Sequence, residues 1–194
     1  MSDNTFQPED SLKLINNMIN TAKNKLADDG FYIIFWGWLI TICAITHYIT
    51  LKLGVEWGQW LWAILPPAGG IFSFVYGYFE HKTKKVKTYL DTYLKYLWGA
   101  FIIGMFIILI FLPVHGIKQT YFSLMILYGL ATFITGGMLN FKPLVIGSLF
   151  SFSFAVLSVF LSDIDQLLCI SGALICSYII PGHLLRISFK SQHV

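Results

Sequence analysis

Six runs of about twenty largely uncharged, mostly apolar residues dominate this chain and leave few folds open to it. They are 30–51, 58–79, 96–114, 120–139, 143–161 and 165–185, and short polar links separate them. A helix of about twenty residues rises about 30 Å, the thickness of a bilayer's hydrocarbon core. A water-soluble domain carries roughly 25% charged residues, whereas this chain carries 12%, gathered into clusters between the runs. The pattern predicts an all-α, polytopic membrane bundle of about six transmembrane helices. The predicted divisions are a cytoplasmic amphipathic helix over 1–29, the bundle over 30–185 and a cytoplasmic tail over 186–194. The weakest run is the last, whose apolar stretch is short and ends near Pro181-Gly182.

Lysine and arginine set the orientation, because they accumulate on the cytoplasmic side. With the N-terminus inside, eleven of the thirteen fall inside: Lys13, Lys23, Lys25, Lys82, Lys84, Lys85, Lys87, Lys95, Lys142, Arg186 and Lys190. Only Lys52 and Lys118 fall outside. Both ends are therefore expected in the cytoplasm. The segment ahead of Gly30 lacks the basic, apolar and small-residue zones of a cleaved signal, so the first span is expected to direct insertion. Trp57, Trp60 and Trp62 mark one membrane boundary and Tyr89, Tyr93, Tyr96 and Trp98 the other, as amphipathic rings favour that position.

Apolar helices gain little from hydrophobicity against each other in lipid, so small residues that permit close approach define their seams. Gly147, Ser151, Ala155 and Ser158 share one face of the fifth span, and Gly129, Thr132 and Gly136 one face of the fourth. Shorter seams are Gly37 with Thr41, Ser73 with Gly77, Ala100 with Gly104, and Gly172 with Cys176.

Three segments invite a functional reading. Within the second span, Pro66 and Pro67 each remove a backbone donor, and Gly69 and Gly70 follow. A kink or short unwound stretch is expected there, and broken helices at membrane depth form substrate sites in transporters. With Thr132, Thr135 and Gly136 of the fourth span, these four residues are the candidate ligand-binding set; a simple packing kink is the competing reading. Leu12, Ile15, Ile19, Ala22 and Leu26 form a heptad-like seam on a helix expected over 8–27. That seam could lie on the membrane, pack on the bundle or on a second copy, or dock a cytoplasmic partner through Ile15, Ile19 and Ala22. Lys82, Lys84, Lys85 and Lys87 satisfy the orientation rule and are also candidates for anionic lipid headgroups.

No Asp, Glu, Lys or Arg lies near the middle of any run, which argues against a proton- or ion-driven pump. The cysteines Cys43, Cys169 and Cys176 lie in apolar runs and suit neither a disulfide framework nor a zinc site. Ser171 and His47 are the only nucleophile and base that could be paired for intramembrane hydrolysis, and no motif supports them. No metal site, cofactor site, phosphate loop or nucleic-acid-binding motif is recognisable, and the expected partners are the bilayer with a homo-oligomer or a cytoplasmic protein. The expected function is a non-enzymatic membrane protein that binds or passes a small neutral or apolar molecule, or an accessory protein working through its first helix.

The stretch from Ser11 to Lys25, the continuation through Gly30-Phe31-Tyr32 and Phe35-Trp36-Gly37-Trp38, the Gly69-Gly70 pair and the ending Ser177-Tyr178-Ile179-Ile180-Pro181-Gly182-His183-Leu184-Leu185 resemble one family. It is an uncharacterised family of small bacterial multi-pass inner-membrane proteins with six helices. The resemblance covers most of the chain. It implies that topology and a bacterial inner membrane, and brings no catalytic residue with it.

Overall fold

The computed structural model describes residues 11–17, 30–81 and 89–190. Residues 11–17 are helical. The bundle follows as α1 (Gly30–Lys52), a 3-10 turn (Trp57–Gln59), α2 (Trp60–His81), α3 (Tyr89–Ile110), α4 (Leu112–Met138), α5 (Lys142–Ser158) and α6 (Gln166–Leu174). A π-helical segment, Ile175–Ile179, then joins α6 to α7 (Ile180–Lys190). No strand occurs among the described residues. The all-α bundle expected from the apolar runs is the fold observed.

Among the described residues, five helical spans are long and apolar enough to cross a membrane: Gly30–Lys52, Trp57–Phe79, Thr92–Ile110, Leu112–Met138 and Gln166–Ser188. The expected fifth span is the short one, since α5 has only 17 residues. At a rise of about 1.5 Å per residue it covers roughly 25 Å. The run expected to be weakest is instead continuous from α6 through α7 and the most buried of the five. Pro181 does not end it, because the preceding π turn already loosens the backbone bonding that a proline disrupts.

The chain packs around that last span. Helices α1, α4 and α5 surround α6 and the π segment, and α4 and α5 form the most extensive helix pair. The pairs α1–α2, α4–α5 and α5–α6 run antiparallel, as their glycine contacts show. Gly58 abuts Thr50 and Gly69 abuts Leu39; Gly129 abuts Phe152 and Gly136 abuts Leu144; Gly147 abuts Cys176 and Gly172 abuts Phe154. The seam of Gly147, Ser151, Ala155 and Ser158 is wholly buried, and Ser151 donates to the Met125 carbonyl of α4 at 3.0 Å. Gly129, Thr132 and Gly136 are buried too. The remaining seams are less consistent, since Ala100 is exposed whereas a Cβ at Gly104 would lie 3.5 Å from Leu127.

The helices α2 and α3 lie at the edges. Backbone packing joins α2 to α1 and the adjoining 3-10 turn, and α3 to α4 alone. Few residues of either are buried along their apolar lengths, and the rest are half-buried or exposed. The start of α4 is an offset turn, because Gly116 adopts φ 79° and ψ 172°. Only glycine takes such a conformation readily. Thr120 then donates to the Gly116 carbonyl at 2.8 Å and anchors the continuous part of the helix.

The link 159–165 joins α5 to α6. Gln166, at the head of α6, is fully buried and donates through Nε2 to the Ser158 carbonyl at 2.9 Å. That carbonyl is one of the terminal acceptors that a helix leaves to partners beyond its own ladder, and the Leu161 N–H shares it at 3.2 Å. Beside it, Ser162 and Asp165 share a hydrogen bond of 2.6 Å, and Lys52 reaches Asp165 at 3.8 Å.

Candidate functional site

The expected ligand site is not assembled. An unbroken α2 runs through Pro66 and Pro67, so the expected unwinding does not occur. The bonds forfeited are those to the carbonyls of Trp62 and Ala63, within the first turn of α2. Apolar surroundings favour keeping the rest of the helix intact. Pro67 is exposed, Gly70 has open space where a side chain would be, and Gly69 is closed against Leu39. Nor does the backbone of α2 approach α4; the two helices meet nearer the other end, through the Trp62 and Tyr121 rings at 6.4 Å. Thr132 donates to the Tyr128 carbonyl at 2.8 Å and Thr135 to the Ala131 carbonyl at 2.7 Å, while Gly136 seats α5. These three serve the α4–α5 pair. Of the other candidates, Ile15 is described and exposed. Ile19, Ala22, Lys82, Lys84, Lys85 and Lys87 lie outside the described residues.

Ser171 and His47 each have other partners. Ser171 donates to the Leu167 carbonyl at 2.9 Å. His47 accepts at Nδ1 from the Trp62 indole at 3.1 Å. An indole nitrogen can only donate, so the contact assigns His47 as neutral, with its proton on Nε2. This bond and that of Trp36 to the Ser73 hydroxyl, 3.1 Å, fasten α2 to α1 at two depths. Trp62→Phe leaves the His47 acceptor unpaired and is expected to lower stability by about 1–2 kcal/mol. Thermal unfolding in detergent, compared with Trp60→Phe as control, measures the difference.

Sequence reasoning overlooked a different group. Four aromatic side chains from α3, α4 and the π segment close into a ring. Trp98 and Phe101 of α3 have centroids 5.3 Å apart, Phe101 and Tyr128 of α4 5.4 Å, Tyr128 and Tyr178 of the π segment 5.8 Å, and Tyr178 and Trp98 6.4 Å. Three of these contacts are edge-to-face, the geometry favoured by the aromatic quadrupole. Tyr178 is 3% exposed, and its hydroxyl has no hydrogen-bond partner. Gly37 of α1 admits it, since a Cβ there would lie 2.9 Å from the Tyr178 Cβ. One turn along α1, the buried Thr41 hydroxyl is also unpartnered, unlike those of Thr132 and Thr135.

Burying a hydroxyl without a partner costs roughly 1–3 kcal/mol by protein mutational measures, and an apolar membrane interior offers no water in compensation. Segments of π-helix, moreover, concentrate at functional sites. A recognisable signal is present in the sequence: Tyr128 and Tyr178 stand mid-run, away from the boundary where tyrosine normally sits. No protein-family model matches the chain, nor does any curated protein or solved structure.

Proposed function

We propose that this is a multi-pass protein of a bacterial inner membrane, with both ends cytoplasmic, that binds or passes a small neutral or apolar molecule without transforming it. The orphaned hydroxyl of Tyr178, one of the four ring members, carries this reading. A polar group stranded in an apolar run, on a π turn, suits a guest that supplies the missing hydrogen bond. The middles of the apolar runs lack Asp, Glu, Lys and Arg, which favours an uncharged guest. Eleven of thirteen basic residues on one side support the orientation. The test is native mass spectrometry of protein gently extracted from its own membrane. A small molecule retained by the wild type and lost from Tyr178→Phe is the expected result. Wild-type protein that carries nothing beyond lipid and detergent would sink the proposal.

The described part of the first helix favours a second reading, recruitment of a partner. Leu12 and Ile15 are 61% and 52% exposed, which leaves this stretch of the seam to the membrane surface or to a partner. Ile15→Glu is expected to remove any stoichiometric protein partner on co-purification while leaving the bundle's thermal unfolding unchanged. An unaltered set of co-purifying proteins counts against this role.

A further inference from the structure

We infer that the ring of Trp98, Phe101, Tyr128 and Tyr178 is a binding box for a flat, uncharged molecule bearing one carbonyl or hydroxyl, which enters from the lipid past α3. This rests on the binding reading above and names its guest and its door.

The guest's chemistry follows from what the box offers. Four aromatic rings pack directly on one another, and contacts of this kind can exchange for contacts with another flat ring. The unpartnered Tyr178 hydroxyl is a donor and acceptor that no protein group satisfies. It therefore fits a guest with one polar atom on an otherwise apolar frame. A charged guest would have to be desolvated in a site with no counter-charge, which is strongly unfavourable.

The door follows from how the box is built. Tyr128 and Tyr178 belong to the tightly packed set of α1, α4, α5 and α6 with its π extension, whereas Trp98 and Phe101 belong to α3. Backbone packing holds α3 on α4 alone, and its link to the π segment is through the Trp98 ring. Trp98 and Phe101 are half-buried and cover the two buried tyrosines. Moving these two side chains uncovers both tyrosines without separating any pair of the central helices. The outer face of α3 is apolar, with Ile102, Ile103 and Phe106 exposed, so the door opens towards acyl chains.

The test uses the full chain in nanodiscs, with acetylnaphthalene and ethylnaphthalene as probes of the same shape with and without a carbonyl. The wild type should retain the acetyl probe about tenfold better in native mass spectrometry, the effect of one buried hydrogen bond. Tyr178→Phe, which removes only an unpartnered hydroxyl, should abolish that preference and hold ethylnaphthalene as before. Trp98→Ala should release the acetyl probe about tenfold faster into a deuterated chase. If Tyr178→Phe weakens both probes alike, or neither, the box is wrong while the general binding reading stands. Unchanged release from Trp98→Ala overturns the door. Wild-type protein that retains neither probe, yet keeps an endogenous small molecule, places the guest elsewhere in the bundle and overturns this inference alone. Retention of neither probe and no endogenous molecule overturns both.

Discussion

Gly147→Ala is expected to prevent α5 from seating on the last span and to cost at least about 3 kcal/mol, the upper part of the range for overpacked interiors. A methyl group at position 147 would collide with the Cys176 carbonyl oxygen and approach the Pro181 ring and the Ser177 Cα at 3.0 Å each. These are backbone and ring atoms with little freedom to yield, unlike the flexible Leu39 tip that faces Gly69. The Cys176 carbonyl belongs to the π segment, so the disturbance would reach Tyr178 two residues on. Gly70→Ala and Gly137→Ala are the matched controls, because both positions face open space. Helix propensity alone should leave them neutral or up to about 1 kcal/mol more stable. Unfolding in detergent titrated with dodecyl sulfate compares the three. Equal stability of Gly147→Ala and Gly70→Ala would show that the α5–α6 contact is looser than described.

Gln166→Glu is expected to cost about 4 kcal/mol at pH 7, and Gln166→Leu far less. The side chain is fully buried, so an introduced carboxyl must either ionise in a dry site or remain protonated. Holding it neutral at pH 7, well above its ordinary value, costs about 4 kcal/mol at roughly 1.36 kcal/mol per pH unit. The penalty shrinks as pH falls towards about 4, where the carboxyl is protonated in the unfolded chain as well. Leucine forfeits the bond to the Ser158 carbonyl, which keeps its bond from the Leu161 N–H. It also removes the unpartnered Gln166 Oε1, and losing both groups together is close to neutral. Unfolding followed at both pH values would decide; a glutamate variant as stable as wild type at pH 7 would mean that water reaches this position.

The apolar runs make the helices legible, and their spacing places most boundaries within a few residues. The buried seams of α4 and α5 are legible too, because glycine, serine and threonine at helical spacing mark close approach. Partnership between helices is not. Pro66 and Thr132 look like two halves of a site only if the second and fourth spans are neighbours there, and that depends on how the fold closes, not on either segment. Nor does hydropathy resolve depth of function within a run. It scores Tyr178 as a mild interruption, although the packing leaves its hydroxyl as one of the few uncompensated polar atoms among the described residues. The last run looks weak in sequence because Pro181 suggests an end, whereas the π turn accommodates that proline inside a continuous span.

The shortness of α5 reaches beyond the protein. It has 17 residues beside the 23 of α1 and an α4 that is longer even beyond its offset start at Gly116, so its flank of the bundle would offer lipid a shorter helical belt. Acyl chains along that flank must compress or tilt, each ångström of mismatch costing a fraction of a kcal/mol. Two molecules that turned their α5 flanks together would share one thinned patch instead of making two. The bilayer itself would then draw copies of this chain into side-by-side contact, most strongly in thick membranes, with no specific protein contact required.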